Sequence, residues 1–161
     1  MVKNILITGG AGYIGSHIVE ILACKKNNIY ILDNLSTGHR RLINQRANFI
    51  FGDINNQNLI KKILNKHNID SVIHLAAVLS VGESEKNPLK YKKINIEGTK
   101  KLLLSLKGSN VKNLIFSSTC AVYKDGLTKV SERSKLKPTS VYGKTKLIGE
   151  RLIKTFSKKN K

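Results

Sequence analysis

A tyrosine and a lysine four positions apart, Tyr142 and Lys146, lie near the end of this 161-residue sequence. On a helix, side chains at this spacing share one face, so the lysine ammonium would favour a phenolate and lower the pKa of the tyrosine. A tyrosine tuned in this way can take the proton of an alcohol while hydride leaves the same carbon. The pair therefore predicts hydride-transfer chemistry, although the same spacing also arises by chance on surface helices.

A group of hydroxyl side chains strengthens this interpretation. Ser117, Ser118 and Thr119 directly follow a predicted strand, and any of the three could supply a hydroxyl that orients the substrate oxygen. Cys120, the next residue, has no base nearby in the sequence that would make it a nucleophile.

The sequence "TGGAGYIG" places Gly9, Gly12 and Gly15 on the turn between a predicted first strand and first helix. Glycines at this spacing allow a tight turn and close approach of the backbone to a pyrophosphate, and the positive end of the helix attracts the negative charge. An ordinary glycine-rich turn is the alternative. Its position after the first strand favours a dinucleotide site.

Two carboxylates follow at the ends of the next predicted strands. Asp33 could accept hydrogen bonds from the hydroxyls of the adenosine ribose and would repel a 2′-phosphate, which favours NAD over NADP. Arg40 and Arg41 leave NADP open, because an arginine in this region can accommodate the 2′-phosphate. Asp53 could reach the adenine amino group, or could belong to a routine turn.

Short apolar segments alternate with longer segments of helical periodicity. The pattern predicts strands at residues 4–8, 29–33, 48–53, 71–77 and 111–119, and helices at 13–26, 59–67, 88–106 and from about 142. In the first helix, Ile14, Ile18, Ile21 and Leu22 share one predicted apolar face. Strands that are apolar throughout are typical of a parallel sheet covered on both faces, so the expected fold is a doubly wound α/β sheet of the Rossmann type.

Composition excludes several classes of protein. The sequence is 40% hydrophobic and 24% charged, as in globular proteins, and no apolar run is long enough for a membrane span, so we expect a cytoplasmic protein. The net charge of +19 comes from scattered lysines without interleaved aromatics, which argues against a specific nucleic-acid site. Cys24 and Cys120 lack disulfide or zinc spacing, so we expect reduced, buried thiols and no metal site.

The motifs, taken in order, resemble the extended short-chain dehydrogenase/reductase family, and within it the nucleotide-sugar 4-epimerases. The resemblance rests on "TGGAGYIG", "DNLSTG", "GDI", "HLAA", "VGES", "NPLKY", "NIEGT", "FSSTCAVY" and "PTSVYGKTK", and it extends from residue 2 to about residue 158. One departure is the segment "VLSVGES", which has no lysine where several epimerases carry one as a cofactor contact.

The resemblance implies roles for individual residues. Tyr142 would be the base, Lys146 would lower its pKa and bind the nicotinamide ribose, and Thr119 would be the hydroxyl residue of a catalytic triad. Other residues would contact NAD: Gly9, Gly12, Tyr13, Ile14 and Gly15 at the pyrophosphate, Asp33, Asn34, Ser36, Thr37 and Gly38 at the adenosine ribose, Asp53 and Ile54 at the adenine, and Leu75, Ala76, Ala77, Asn95 and Ser117 elsewhere along the cofactor.

The implied activity is interconversion of UDP-glucose and UDP-galactose through transient oxidation at C4 of the sugar by NAD. Family members are about twice as long, so we expect an NAD-binding Rossmann domain over residues 1–161 whose sheet is incomplete at its C-terminal side, without the substrate domain and with doubtful turnover. Packing of the helices at 88–106 and 142–157 would allow a homodimer. A dehydratase or decarboxylase of the same family and a non-catalytic NAD-binding remnant remain alternatives.

Overall fold

The computed structural model describes residues 2–126 and 129–160, which form two compact units. The first unit comprises Met1–Ala76 and Lys101–Ser117, and the second comprises Ala77–Lys100 and Ser118–Lys161.

The first unit contains a five-stranded sheet in which all neighbouring strands are parallel. Its order is β3-β2-β1-β4-β5, the order of a doubly wound sheet, so the predicted Rossmann-type α/β fold is confirmed. The strands are β1 (Asn4–Thr8), β2 (Asn28–Asp33), β3 (Asn48–Phe51), β4 (Ser71–His74) and β5 (Asn113–Phe116).

Burial in the sheet follows the position of each strand. The central strand β1 is buried from Ile5 to Thr8, whereas the edge strands expose Phe51 in β3 and Ile115 in β5. The prediction of strands covered on both faces is therefore right for the centre of the sheet and wrong for Phe51 in β3, whereas the exposed Ile115 in β5 agrees with the predicted incomplete C-terminal side of the sheet. Three strands also end earlier than predicted, at Phe51, His74 and Phe116.

The helices of the first unit begin at polar or glycine-rich turns. Helix α1 (Tyr13–Ala23) follows the glycine turn, and α2 (Gln57–Lys66) begins after Asn56, whose side chain accepts a hydrogen bond from the Leu59 N–H. Helix α5 (Gly98–Leu106) ends in this unit, where the Ser105 hydroxyl donates to the Gln57 carbonyl.

The buried face of α1 agrees with the predicted one only in part, because the predicted Ile18 and Leu22 do pack, partly buried, against the core. Val19 and Ala23 pack against Ile5, Ile7 and Ile31, whereas Ile14 and Ile21 are 54% and 60% exposed. The apolar periodicity fits two overlapping faces, and the close approach of Gly15 to the glycine turn selects the face that carries Gly15, Val19 and Ala23.

The second unit is largely helical. It contains α3 (Val81–Lys86), α4 (Pro88–Tyr91), a π-helical segment (Lys92–Glu97), the start of α5, a 3₁₀ turn (Cys120–Val122) and α6 (Val141–Lys159). The predicted single helix at 88–106 therefore contains a π-helical segment, a feature often found near functional sites. Helix α3 was not predicted, because its sequence "VGESEK" has a single large apolar side chain.

Three further predictions concern the two cysteines, membrane-spanning helices and the loop 123–140. Both thiols, Cys24 and Cys120, are exposed, so the expectation that they are buried was wrong. Cys24 follows the last residue of α1, and Cys120 is the first residue of the 3₁₀ turn. Within the described ranges, no helix combines the length and apolar character needed to cross a membrane. The predicted irregular loop 123–140 includes residues 127 and 128, which lie outside the described residues.

Candidate active site

The glycine turn of the first unit is held against the ends of the central strands. The Gly9 N–H donates to the Leu32 carbonyl at 2.9 Å, and Gly9 has a positive φ of 74° that favours glycine. A Cβ on Gly9 would lie 2.7 Å from the Ala76 nitrogen, and a Cβ on Gly15 would collide with the Gly9 carbonyl oxygen. The glycine turn therefore approaches the segment after β4 at Gly9, and helix α1 at Gly15, more closely than side chains at these positions would allow.

Gly12, the cap residue of α1, has a different environment. A Cβ there would meet the Gly9 oxygen at an ordinary 3.4 Å, so packing within the chain does not require glycine. Among the described residues, no side chain caps this helix start, and its first turn carries no acidic residue. An uncapped N-terminus of an 11-residue helix with open space above Gly12 fits the diphosphate of a dinucleotide.

Asp33, at the end of β2, is buried beside the glycine turn. One carboxylate oxygen accepts from the Ala11 N–H at 3.0 Å and the other accepts from the Leu35 N–H at 2.8 Å. A carboxylate oxygen can accept more than one hydrogen bond, so both oxygens keep acceptor capacity for ribose hydroxyls. The structure thus adds a second role for Asp33, because it fixes the glycine turn to the loop that follows β2.

That loop contains the predicted ribose contacts 34–38. A Cβ on Gly38 would lie 3.0 Å from Ala11, and the His39 N–H donates to the Ala11 carbonyl, so the loop packs on the glycine turn. Asn34, Ser36 and Thr37 are exposed. The Arg40 guanidinium lies over the Phe49 ring at 5.4 Å, an interaction that already engages one of the two arginines considered for a 2′-phosphate.

Asp53 lies after β3 and is linked to the same loop. Its carboxylate accepts from the Asn34 side chain at 2.9 Å and from the Asn55 backbone N–H at 2.7 Å, while the neighbouring Ile54 is buried. An open cavity of about 590 Å³ lies beside it, lined by Asp53, Asn55, Asn56, Gln57, Asn58 and Lys101. This arrangement offers a carboxylate next to an open space, as an adenine contact requires.

The segment that follows β4 is held beside the end of β1 by hydrogen bonds to Thr8. The Leu75 N–H donates to the Thr8 carbonyl at 3.0 Å, and the Ala76 N–H donates to the Thr8 hydroxyl at 3.3 Å. The Thr8 hydroxyl also bonds Nδ1 of His74 at 2.7 Å. After β5, the Ser117 N–H donates to the His74 carbonyl at 3.2 Å. These bonds fix the backbone beside the glycine turn.

Tyr142 and Lys146 lie one turn apart in α6 of the second unit, as predicted. Tyr142 is 8% exposed and packs in an apolar cluster with Val78 and Tyr91, and Lys146 is 3% exposed. Burial lowers the pKa of Lys146 from 10.5 to about 8, and the nearby Glu150 carboxylate opposes part of that shift. Lys146 is therefore mainly protonated at neutral pH, in a setting where its charge is poorly hydrated.

The candidate hydroxyl Thr119 caps the short 3₁₀ turn, because its Oγ1 accepts from the Ala121 N–H at 3.2 Å. Helix α6 packs closely on this turn at Gly143, where a Cβ would collide with the Ala121 carbonyl oxygen. Sequence reasoning missed Gly143, which lies between Tyr142 and Lys146. A glycine inside an otherwise helix-forming segment is a signal of close packing and could have identified it.

Replacing Gly143 by alanine is expected to force α6 away from the 3₁₀ turn that carries Thr119. We expect a loss of about 1–3 kcal/mol in the free energy of unfolding, as for other insertions into a packed interior. Chemical denaturation followed by circular dichroism measures this loss. The matched control is Gly82→Ala, because a Cβ on Gly82 in α3 meets nothing within 4 Å. Equal stability of the two variants would contradict the prediction.

Asn95, predicted to lie near the nicotinamide, has its side-chain amide already bonded. Its Oδ1 accepts from the Val78 N–H at 2.9 Å, and its Nδ2 donates to the Val78 carbonyl and to the Thr145 hydroxyl. The Thr145 hydroxyl in turn donates to the Tyr142 carbonyl at 2.7 Å. Asn95 therefore connects the π-helical segment to the turn of α6 that holds the tyrosine, a role that spacing alone did not reveal.

The predicted site residues fall into two groups. The catalytic candidates Tyr142, Lys146 and Thr119 lie in the second unit. Ala77 and Asn95 lie in the same unit. The remaining candidates lie in the first unit: Gly9, Gly12, Tyr13, Ile14, Gly15, Asp33, Asn34, Ser36, Thr37, Gly38, Asp53, Ile54, Leu75, Ala76 and Ser117. Among them, the Tyr13 side chain is 80% exposed. Their contacts with a cofactor remain predictions.

Comparison with known proteins decides the family. A sequence profile described as the NAD dependent epimerase/dehydratase family matches residues 5–161. The chain belongs to this family. Two curated relatives of this chain are named UDP-glucose 4-epimerase. The one from Lactobacillus helveticus is 43% identical, and the match covers 93% of this chain and 46% of the relative. The one from Yersinia enterocolitica is 40% identical, and the match covers 96% of this chain and 48% of the relative.

Solved structures of family members agree with this assignment. A UDP-glucose 4-epimerase from Brucella ovis in complex with NAD has a TM-score of 0.94 and 37% identity, over 99% of this chain and 49% of that one. The Thermotoga maritima enzyme with UDP-glucose has a TM-score of 0.93 and 35% identity, over 98% of this chain and 52% of that one. The chain thus spans about half the length of the family members it matches.

Proposed function

We propose that this chain binds NAD and takes part in nucleotide-sugar epimerisation, with UDP-glucose and UDP-galactose as substrates. The observation that carries the proposal is the buried pair of Tyr142 and Lys146 in one turn of α6, where burial holds the pKa of Lys146 at about 8. Bound NAD would supply the hydride acceptor. A cytoplasmic location, and a homodimer formed through the helices around residues 88–106 and 142–157, belong to the same proposal.

Each catalytic side chain has a defined role in this proposal. Tyr142, in its phenolate form, removes the proton from the 4-hydroxyl of the sugar, and the resulting phenol returns this proton to the 4-oxygen when the sugar is reduced on the other face. The Lys146 ammonium stabilises the phenolate form of Tyr142 and bonds the nicotinamide ribose. The Thr119 hydroxyl orients the 4-oxygen of the sugar, and Ser117 contacts the cofactor.

The cofactor contacts belong to the first unit. The backbone from Gly9 to Gly15, with Tyr13 and Ile14, would hold the diphosphate, because the uncapped start of α1 and the open space at Gly12 fit an anion. Asp33 would accept from the adenosine ribose and favours NAD over NADP, because its carboxylate repels a 2′-phosphate. Asp53 would accept from the adenine amino group beside the open cavity.

Two measurements test the proposal. Isothermal titration calorimetry should show binding of NAD and much weaker binding of NADP. Incubation of the protein with NAD and UDP-galactose should then yield UDP-glucose, detected by chromatography of the nucleotide sugars. Absence of NAD binding would overturn the proposal.

A non-catalytic NAD-binding role is the second candidate, since the chain spans about half the length of its relatives. NAD binding without any turnover of sugar, even at high protein concentration, would support it. A 4,6-dehydratase is disfavoured because Thr119 is followed by Cys120 and Ala121, and elimination would need an acidic residue there. A stable 4-keto-6-deoxy sugar as product would favour the dehydratase over the epimerase.

The glycine turn offers a separate test of cofactor binding. Gly12→Ala is expected to weaken NAD binding by about tenfold or more, because a methyl group would occupy the space proposed for the diphosphate. The fold should tolerate the change, because a Cβ at Gly12 meets only the Gly9 oxygen at 3.4 Å. Calorimetry measures the affinity and circular dichroism checks the fold.

The control for this variant is Gly82→Ala, which adds the same methyl group at an open position in α3. It should bind NAD with the affinity of the wild type. Unchanged affinity in Gly12→Ala would show that the diphosphate does not lie over the glycine turn.

A further inference from the structure

Two side chains of α3 bond the backbone of α6 at its first turn. The Ser84 hydroxyl accepts from the Tyr142 N–H at 3.0 Å, and the Glu85 carboxylate accepts from the Val141 N–H at 2.7 Å. Both residues lie in the short helix that sequence reasoning did not predict. The amide of the proposed catalytic residue is thus bonded from outside its own helix.

Ser84 is suited to fix this contact in one orientation. It is fully buried, and its hydroxyl donates to the Val81 carbonyl at 2.6 Å. Because the hydroxyl hydrogen is committed to Val81, an oxygen lone pair remains to accept from Tyr142. Loss of the hydroxyl would leave the Tyr142 N–H unpaired in a buried setting, which is costly.

The ordinary cap of α6 is a different residue. The Ser140 hydroxyl accepts from the Gly143 N–H at 3.0 Å, and this bond satisfies a first-turn donor as N-cap residues commonly do. Ser84 therefore does not duplicate the cap. Ser84 bonds the backbone N–H of Tyr142, the residue of this turn that is proposed to transfer the proton.

We propose that Ser84, assisted by Glu85, is a positioning residue that sets the location of the Tyr142 side chain. This inference rests on the proposed function. The Tyr142 carbonyl is also held, by the Thr145 hydroxyl, so both polar groups of its backbone are bonded to side chains. A tyrosine fixed in this way keeps its hydroxyl at the reacting oxygen, where small displacements reduce rates strongly.

The test compares Ser84→Ala with Ser140→Ala, since each variant removes one side-chain acceptor from the first turn of α6. For Ser84→Ala we expect kcat for UDP-galactose to fall about tenfold with KM within about twofold, and the Tyr142 amide to exchange about tenfold faster. For Ser140→Ala we expect faster exchange at Gly143 and a change in kcat of less than about threefold. Nuclear magnetic resonance resolves the individual amides.

Equal kcat values in the two variants, or an unchanged exchange rate of the Tyr142 amide in Ser84→Ala, would overturn the inference. If Ser84→Ala does not fold, Glu85→Ala serves in its place, because Glu85 is exposed and alanine removes the acceptor of the Val141 N–H. Glu85→Ala should speed exchange at Val141 and lower kcat about threefold, and wild-type values for both would again overturn the inference. No turnover by the wild type would overturn the epimerase proposal and the effect of Ser84 on the rate, while amide exchange would still decide whether Ser84 positions Tyr142.

Discussion

Replacing Tyr142 by phenylalanine is expected to lower the rate of conversion of UDP-galactose to UDP-glucose by a factor of about 10²–10⁴, the usual contribution of a general acid or base. The ring would still fill its place beside Val78 and Tyr91, so the fold should persist. NAD affinity should change little, because the proposed cofactor contacts lie mainly in the first unit. Single-turnover measurements at high protein concentration determine the rate.

Tyr91→Phe is the matched control for this variant. Tyr91 is fully buried in the same apolar cluster, and its hydroxyl donates to the Glu83 carboxylate at 3.1 Å. Removing this hydroxyl should cost stability through the lost hydrogen bond but leave the rate within about threefold of the wild type. Equal rate losses in both variants would show that the rate reports packing of the cluster and not proton transfer by Tyr142.

Replacing Lys146 by methionine is expected to change how stability depends on pH. The pKa of Lys146 is about 8 in the folded protein because of burial, and its ordinary value is 10.5. Between these two values the unfolded chain binds more protons than the folded chain, so the wild type gains stability as pH rises through this window. The gain amounts to about 3 kcal/mol, and the variant should lack it. Urea unfolding from pH 7 to pH 10.5 measures the difference.

Lys154→Met is the control, because Lys154 lies on the same helix with an exposed side chain. Its stability should follow the pH dependence of the wild type. A stability difference between wild type and Lys146→Met that stays constant from pH 7 to pH 10.5 would show that Lys146 does not carry a strongly lowered pKa.

The strands and the glycine turn could be predicted from the sequence because their signals are local. Short apolar runs such as "NILIT" that end at turn residues indicate buried strands, and the spacing of glycine at positions 9, 12 and 15 is itself a pattern in the sequence. The spacing of Tyr142 and Lys146 likewise fixed their common face on α6. These features depend on neighbours in the sequence.

Features that depend on distant contacts could not be predicted. The most buried residues of α1, Val19 and Ala23, are decided by packing on strand residues such as Ile31 and Ile73, which apolar periodicity does not record. The bonds from Ser84 to Tyr142 and from Asn95 to Thr145 join residues 58 and 50 positions apart. The low pKa of Lys146 results from burial, and a lysine in a polar segment gives no sign of it.

The alternation of the two compact units along the chain limits how this protein can be divided. The path passes from one unit to the other after Ala76, after Lys100 and after Ser117, and the second of these crossings falls within α5. No single cut in the gene would yield either unit as a continuous fragment. During synthesis, all residues of the first unit have emerged once Ser117 has left the ribosome, whereas the surroundings of Tyr142 must wait for α6 to emerge.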